Sequence, residues 1–128
     1  MRLLLDTHAV IWALSGDPRL SEAGRAAIAD ADNEILVSSV SVMEIATKHR
    51  LGKLPGVADL VRDFSGVFAL ADYTVLAMTL EHAAHAGSMG IPHKDPFDRL
   101  LMAQAQIEQV PLVSNERLFD GFGLERIW

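Results

Sequence analysis

The sequence predicts an α/β fold built on a central, mainly parallel sheet of about five short strands. Short apolar runs alternate along the chain with longer stretches of helical periodicity, which is the pattern of strands joined by helical crossovers. Most of these runs contain no polar residue. Runs of this kind are typical of strands that helices cover on both faces of a sheet.

Five segments supply the expected strands. The first ends at Asp6 and the fourth at Ser114-Asn115, while the third is the weakest and the fifth closes the chain. In chain order they cover 3–5, 35–37, 67–70, 111–113 and 124–128.

Five helices are expected between the strands. Gly16-Asp17-Pro18 follows the first helical pattern, and Gly52, Gly87 and Pro111 follow later ones, as residues that end helices do. In chain order the helical patterns cover 8–14, 21–31, 41–49, 74–86 and 98–109.

Length and composition limit the function classes. The chain has 128 residues and a mass of 13.9 kDa, so we expect a single domain over residues 1–128. A hydrophobic content of 50% with 22% charged residues excludes intrinsic disorder. With 11 basic and 17 acidic residues the formal net charge is −6, so a broad basic face for nucleic acid is not expected, whereas a local basic patch or a bound metal is compatible. The absence of cysteine excludes disulfides, zinc–thiolate sites and a thiol nucleophile.

The sequence also bears on location. No apolar stretch approaches the roughly 20 residues of a membrane span. Asp6 and His8 interrupt the apolar N-terminus too early for a signal peptide. We therefore expect an intracellular, cytoplasmic protein.

Acidic residues fall where strands give way to helices. Asp6 ends the first strand, Glu44 lies early in the helix after the second, Asp95 and Asp98 open the last helix, and Glu116 follows the fourth strand. The ligand crevice of an open α/β sheet lies beyond the carboxyl ends of its strands. We therefore expect these side chains to converge on one acidic pocket.

Each of these acids taken alone has a structural explanation. Ser41 and Glu44 match a capping box, and 95–98 matches an N-cap aspartate followed by proline and an acid. Asp6 would cap the first helix, and Glu116 would be a solvated loop residue.

Together the acids favour a metal. Two carboxylates about 4 Å apart repel by about 4 kcal/mol at an effective dielectric near 20, so several in one crevice need a cation. Carboxylate and water oxygens are ligands of Mg²⁺ or Mn²⁺. Such an ion can hold a phosphate and activate a water, which suits hydrolysis of a phosphodiester.

Other chemistries have little support. The sequence contains no glycine-rich nucleotide loop and no Gly-x-Ser-x-Gly elbow. His82 and His85 are three residues apart on one predicted helix, but no carboxylate at metal-ligand spacing follows them. His8 and His93 lie near the expected crevice, where substrate contact and simple packing are equally compatible with the sequence.

Several motifs resemble those of the PIN-domain ribonucleases, most closely the VapC-type toxins of bacterial toxin–antitoxin pairs. The resemblance covers essentially the whole chain, and the Asp-Pro-Phe-Asp-Arg block is its most specific part. The matching motifs are 6–8 (Asp-Thr-His), 41–45 followed by Lys48 and 51–54, 93–99 with Ala103-Gln104-Ala105, and the terminal Leu-x-x-Ile-Trp.

The resemblance implies a PIN-like α/β/α sandwich, Mg²⁺- or Mn²⁺-dependent cleavage of RNA, inhibition by a cognate antitoxin, and assembly into a homodimer and a toxin–antitoxin hetero-oligomer. Carried over by motif, the catalytic and metal-binding acids are Asp6, Glu44 and Asp98. Glu116 is the fourth catalytic acid, at a position where the family more often has aspartate, and Asp120 is the alternative.

The supporting residues fall into two groups. Thr7 and Ser39 are expected to orient the acids or a metal-bound water, and Asp95 is expected to cap the last helix or to add negative charge beside the acids. Lys48 and Arg99 are expected to position substrate, Lys48 as part of a basic cluster completed by His49, Arg50 and Lys53, and Arg99 together with Lys94. Phosphate contacts from such groups position RNA without reading its sequence, although basic residues at a helix end also complement the helix dipole.

Two alternatives belong to other classes. A receiver-like phosphoacceptor domain has the same kind of fold and an acidic pocket, but it needs paired acids after the first strand and a lysine after the last. A catalytically weak PIN-fold interaction module would keep the fold and only bind its partner.

An antitoxin would find two features to recognise. An arginine side chain matches clustered carboxylates in bidentate fashion. Because charge pairing alone is screened by salt, the antitoxin should also cover apolar surface, either Ile11, Trp12 and Leu14 or the stretch 57–61.

Overall fold

All five strands of the sheet are parallel, as the sequence predicts. In the computed structural model, which describes residues 1–92 and 95–128, the strand order is β3-β2-β1-β4-β5. The strands are β1 (Arg2–Leu5), β2 (Glu34–Ser38), β3 (Tyr73–Leu76), β4 (Leu112–Val113) and β5 (Arg126–Ile127).

Helices cover both faces of the sheet. They are α1 (Thr7–Ser15), α2 (Glu22–Ala29), α3 (Ser39–Arg50), α4 (Ala58–Arg62), α5 (Phe64–Leu70), α6 (Leu80–Ser88) and α7 (Pro96–Glu108). A 3₁₀ turn covers Arg117–Phe119. Among the described residues, none of these helices combines the length and the apolar character needed to cross a membrane.

The central strand β1 explains the three layers. Its residues Leu3, Leu4 and Leu5 are fully buried, and successive side chains of a strand point to opposite faces. Leu3 and Leu5 pack in one core with residues of α1, α3, α4 and α5, whereas Leu4 packs in a second core with residues of α7. The predicted α/β/α sandwich is therefore confirmed.

The third strand was predicted in the wrong place. The run 67–70 belongs to α5, and β3 begins only at Tyr73. The Asp63 side chain caps α5 by accepting from the Gly66 amide at 3.0 Å, and the rings of Phe64 and Phe68, one helical turn apart, lie 5.9 Å from each other. A short apolar run does not by itself distinguish a strand from a buried helix.

The same error displaces the next helix. The predicted helix 74–86 overlaps β3, and α6 begins at Leu80 after its N-cap residue Thr79. Within the part of the chain that the structure describes, β3 pairs with β2 alone and is half exposed, so it lacks the apolar run that marks β1 and β2. The short helix α4 carries no strong periodic signal and is absent from the prediction.

The start of α3 also differs. Ser38 is the N-cap residue, and its hydroxyl accepts from the Val40 amide at 3.0 Å. The helix therefore begins at Ser39 rather than Ser41, and the expected capping box of Ser41 and Glu44 is wrong. Both residues lie inside α3 and are buried, which directs their side chains to the site described below.

Candidate active site

The sheet reverses its order beside β1. From β1 the chain continues to β2 and β3 on one side, whereas β4 and β5 lie on the other. A crevice forms beyond the carboxyl ends of the two strands where such a sheet reverses. Here Asp6 follows β1 and Ser114 follows β4, and the Asp6 amide donates to the Val113 carbonyl at 3.0 Å.

The predicted acids meet in this crevice. Its volume is about 130 Å³. We call it the acidic crevice, and it is lined by Asp6, Thr7, His8, Glu44, Lys48, Asp95, Asp98, Leu101, Asn115 and Glu116. Of the predicted supporting residues, Thr7, Asp95 and Lys48 line it.

Asp6 and Glu44 are the two buried acids of the crevice, with 7% and 6% of their surface exposed. Asp6 caps α1, as predicted, by accepting from the Ala9 amide at 2.8 Å. Burial raises the pKa of the Asp6 carboxyl, and the negative charge of Asp98 adds to this rise. Hydrogen bonds from Ser114 and Ala9, and the positive potential of His8, lower the pKa and so oppose the rise.

Glu44 is held on both carboxylate oxygens. The Thr7 hydroxyl donates to Oε1 at 2.7 Å, and the Lys48 ammonium lies 2.5 Å from Oε2. The hydroxyls of Thr7 and Ser41 are 2.9 Å apart. The start of α1 and the first turns of α3 are thereby joined through buried polar groups at the crevice.

The start of α7 brings two further acids. Asp95 caps the helix, as predicted, because its Oδ1 accepts from the amides of Phe97 and Asp98 at 2.9 and 3.2 Å. Pro96 occupies the first turn, where a missing amide hydrogen costs nothing. Asp98 therefore lies in the first turn of α7, with its side chain at the crevice.

Arg99 is not a lining residue of the acidic crevice. Its guanidinium donates to the backbone carbonyls of Ala86, Met89 and Ile91 at 2.7–3.2 Å. These contacts tie the end of α6 and the following segment to α7, so Arg99 positions this part of the chain.

The end of β4 supplies the fourth acid. Glu116 lines the crevice, and its Oε1 accepts from the Leu118 amide at 3.3 Å. The alternative, Asp120, is not a lining residue and pairs with Arg126 at 2.8 Å, which lowers the pKa of Asp120. The geometry therefore favours Glu116.

Some predicted residues lie elsewhere. Ser39 does not line the crevice, and its hydroxyl accepts from the Met78 amide at 3.0 Å. His82 and His85 contact Glu108 and Gln106 on α7 at 3.2 and 2.6 Å and so join two helices. His93 and Lys94 fall outside the described residues.

Two residues that contact the lining of the crevice escaped the sequence analysis as functional candidates. Ser41 reaches Thr7, and Ser114 reaches Asp6. A serine at the end of an apolar strand is the signal that could have identified Ser114. The contact of Ser41 with Thr7 joins residues 34 positions apart, and no local pattern indicates it.

The donor set of the crevice fits a hard divalent cation, because it consists of carboxylate oxygens with hydroxyls beside them. Burial is the main cause of the raised pKa of Asp6, and the nearby negative charge of Asp98 adds only a smaller part. Within 1–92 and 95–128, however, no three acidic or histidine side chains are close enough together to hold one ion. Glu44 in particular is engaged by Thr7 and Lys48.

A separate apolar groove lies between α1, α4 and α5. Its volume is about 260 Å³, and its lining includes Ile11, Leu14, Val57, Leu60 and Val67. The groove contains residues of both apolar stretches that were predicted from the sequence as antitoxin contacts, namely Ile11 and Leu14 from the first and residues of 57–61 from the second. Trp12 is not part of it, because its ring is buried against Trp128 with centroids 5.9 Å apart.

The fold and the site together define an α/β/α protein with a crevice of carboxylates at the reversal point of its parallel sheet. The family model described as the PIN domain matches residues 3–123. The chain therefore belongs to the PIN-domain family, and the receiver-domain alternative is set aside. A search of curated proteins gave no match.

Several solved structures have a fold similar to that of this chain. The VapBC2 structure from Rickettsia felis bound to a DNA fragment from its promoter has a TM-score of 0.70 and 19% identity, covering 100% of both chains. The DNA-bound VapBC structure from Salmonella typhimurium has a TM-score of 0.68 and 21% identity, covering 98% of this chain and 96% of that one. A toxin–antitoxin complex from Klebsiella pneumoniae has a TM-score of 0.61 and 17% identity, with coverage of 94% and 92%.

Proposed function

We propose that this chain is a metal-dependent endoribonuclease of the VapC type, the toxin of a toxin–antitoxin pair. The observation that carries the proposal is the meeting of Asp6, Glu44, Asp98 and Glu116 in one crevice, although they come from four separate segments. The PIN-domain match and the fold similarity to VapBC chains support it. The acting unit is the single domain 1–128, in the cytoplasm, where RNA is available.

Asp6, Glu44 and Asp98 would hold Mg²⁺ or Mn²⁺, and Glu116 would complete the acidic set from the end of β4. When bound, such an ion lowers the pKa of a coordinated water and offsets the charge of a phosphodiester. Neighbouring residues hold three of the acids in position. Thr7 holds Glu44, Ser114 holds Asp6, and Asp95 fixes the backbone that carries Asp98.

RNA would approach from the end of α3. Lys48 lines the acidic crevice, and His49, Arg50 and Lys53 are exposed just beyond it. Cationic side chains of this kind position the phosphate backbone without reading bases. Because this basic cluster is local, RNA could bind there although the net charge of the chain is −6.

The partner is a cognate antitoxin, and the assembly is a homodimer of this chain within a toxin–antitoxin hetero-oligomer. The similar folds of VapBC structures and of a toxin–antitoxin complex support this part of the proposal. The acidic crevice offers a site for an antitoxin arginine. The apolar groove between α1, α4 and α5 offers a surface for an apolar segment of the same partner.

The test is cleavage of RNA by the purified chain with Mg²⁺ or Mn²⁺. We expect cleavage that stops when EDTA is added and falls by orders of magnitude in Asp6→Asn, with circular dichroism establishing that the variant is folded. Cleavage that persists in EDTA or in Asp6→Asn would contradict the proposal. An intact RNA under both metals, together with tight binding of the antitoxin, would favour the interaction module instead.

A further inference from the structure

Glu44 and Lys48 form an ion pair one turn apart on α3, with Nζ and Oε2 separated by 2.5 Å. An exposed pair at this spacing is common on helices and contributes little. Here the side chain of Glu44 is only 8% exposed, whereas that of Lys48 is 37% exposed. The pair therefore joins a buried acid of the crevice to a cation that reaches solvent.

The charge of Lys48 is opposite to that of the acids around it. Among the lining residues of the acidic crevice that the structure describes, Lys48 carries the one permanent positive charge, against five carboxylates. With Thr7 on the other oxygen, it gives Glu44 a donor on each side. A divalent ion that binds Glu44 through Oε2 would compete with the Lys48 ammonium for the lone pairs of that oxygen.

We propose that Lys48 is an internal counter-ion that competes with the divalent metal for Glu44 and turns to an RNA phosphate once the metal is bound. This inference rests on the proposed function. In the metal-free protein the ammonium offsets part of the repulsion among the acids. When a cation reaches Glu44, like charges repel and the ammonium leaves its place at Oε2.

The structure provides a path for this exchange. Lysine has a flexible stem of four carbons and a strongly hydrated head group. Because Lys48 is already partly exposed, its head group can leave Oε2 by rotation of the side chain, without movement of α3. On release, it would lie near the end of the same helix, where His49 and Arg50 are exposed and where phosphates would approach.

The first experiment measures Mn²⁺ binding by isothermal titration calorimetry on the full chain. We expect Lys48→Met to bind Mn²⁺ about tenfold more tightly than the wild type, because a competing partner and a repelling charge are both removed. Lys48→Gln has the same expected result if the methionine variant does not fold. The control Lys53→Met removes an exposed lysine outside the crevice and should leave the affinity within about twofold.

The outcomes separate the inference from the proposed function. If the wild type binds Mn²⁺, Asp6→Asn does not, and the Lys48 variants bind no more tightly than the wild type, the competition is disproved while the metal site stands. If the wild type itself does not bind Mn²⁺, both the proposed function and this inference fail.

The second experiment tests the release to phosphate. At saturating Mn²⁺, Lys48→Met should raise the KM for RNA several-fold and leave kcat nearly unchanged, because a contact common to bound substrate and transition state is lost. Lys48→Arg should restore the KM. A fall in kcat with an unchanged KM would overturn the exchange.

Discussion

The Ser114 hydroxyl, just after β4, donates a hydrogen bond to the Asp6 carboxylate, just after the neighbouring strand β1. Ser114 is fully buried, and its hydroxyl also accepts from the Glu116 amide at 3.0 Å. One small side chain thus links two of the five acids that line the crevice. It also opposes the rise that burial causes in the pKa of Asp6.

Ser114→Ala should therefore raise the pKa of Asp6 further. The acidic limb of the pH–rate profile for RNA cleavage is expected to move to higher pH, because Asp6 must be ionised to act as a ligand. Loss of the buried hydrogen bonds should also lower the free energy of unfolding by about 1 kcal/mol, measured in urea. Ser114→Thr keeps the hydroxyl and serves as the control. An acidic limb at the wild-type pH in Ser114→Ala would show that this bond does not tune Asp6.

Asp98→Asn should separate stability from activity. Because the pKa of Asp6 is raised in the folded state above its usual 3.8, the folded chain binds that proton more tightly than the unfolded chain does. The stability of the metal-free protein therefore falls as the pH rises through the range between the unfolded and folded pKa values. Asp98 contributes to the raised pKa, so its neutralisation should increase the free energy of unfolding at pH 7 by up to about 1 kcal/mol.

The gain should disappear once the pH is lowered below 3.8, where Asp6 is protonated in both states. Cleavage of RNA should fall by orders of magnitude at the same time, because a metal ligand is lost. Asp32→Asn is a matched control, since Asp32 is an exposed acid near the start of β2, and it should alter neither quantity appreciably. A folded but destabilised Asp98→Asn with normal cleavage would identify Asp98 as a helix-capping residue only.

Thr7→Val removes one hydroxyl and keeps the shape of the side chain. Glu44 and Ser41 then lose a buried partner, which should cost about 1–3 kcal/mol in the free energy of unfolding. Cleavage should also fall, because the orientation of Glu44 relative to Asp6 is no longer fixed. Thr7→Ser retains the hydroxyl and should remain close to the wild type in both urea denaturation and cleavage assays. Equal activity of the valine and serine variants would contradict a role for this hydroxyl.

The sequence predicted the acidic crevice better than the helix and strand boundaries. Asp6, Glu44, Asp98 and Glu116 could be grouped because all follow apolar strands or begin helices, and a parallel sheet brings such positions to one edge. That argument needs the order of elements and is insensitive to a shift of two residues. The placement of Glu44 at the crevice was therefore predicted correctly, although α3 begins two residues earlier than expected.

The third strand could not be located in the same way. The run 67–70 is more apolar than Tyr73–Leu76, but Phe68 points into the core from a helix, whereas the edge strand β3 is half exposed. Tertiary packing decides between the two, and the local pattern does not contain it. The contacts of Gln104 could not be predicted from a local pattern either. Its buried amide lies 2.5 Å from the Ser38 hydroxyl and 3.4 Å from the His82 ring, and both partners are distant in the sequence.

The apolar groove leads to a prediction about the antitoxin. Leu14 is only partly buried and lines the groove together with Ile11 and Leu60. Leu14→Glu should weaken antitoxin binding at least tenfold, because burying an unpaired charge is costly. It should leave RNA cleavage unchanged, since the groove shares no lining residue with the acidic crevice. Unchanged antitoxin affinity, measured by calorimetry, would exclude this surface.

The acidic crevice leads to the complementary prediction about an antitoxin arginine. Its planar guanidinium can bind two carboxylate oxygens at once, and in the crevice it would have to compete with Lys48 and with metal for the same acids. Inhibition should therefore weaken when tail arginines of the antitoxin are replaced by alanine, and it should weaken further as Mn²⁺ or salt is increased. Binding through the apolar groove should persist under those conditions, so calorimetry and cleavage assays would diverge. If replacement of every tail arginine leaves inhibition unchanged, the antitoxin must act by steric cover or by holding the toxin in an inactive assembly.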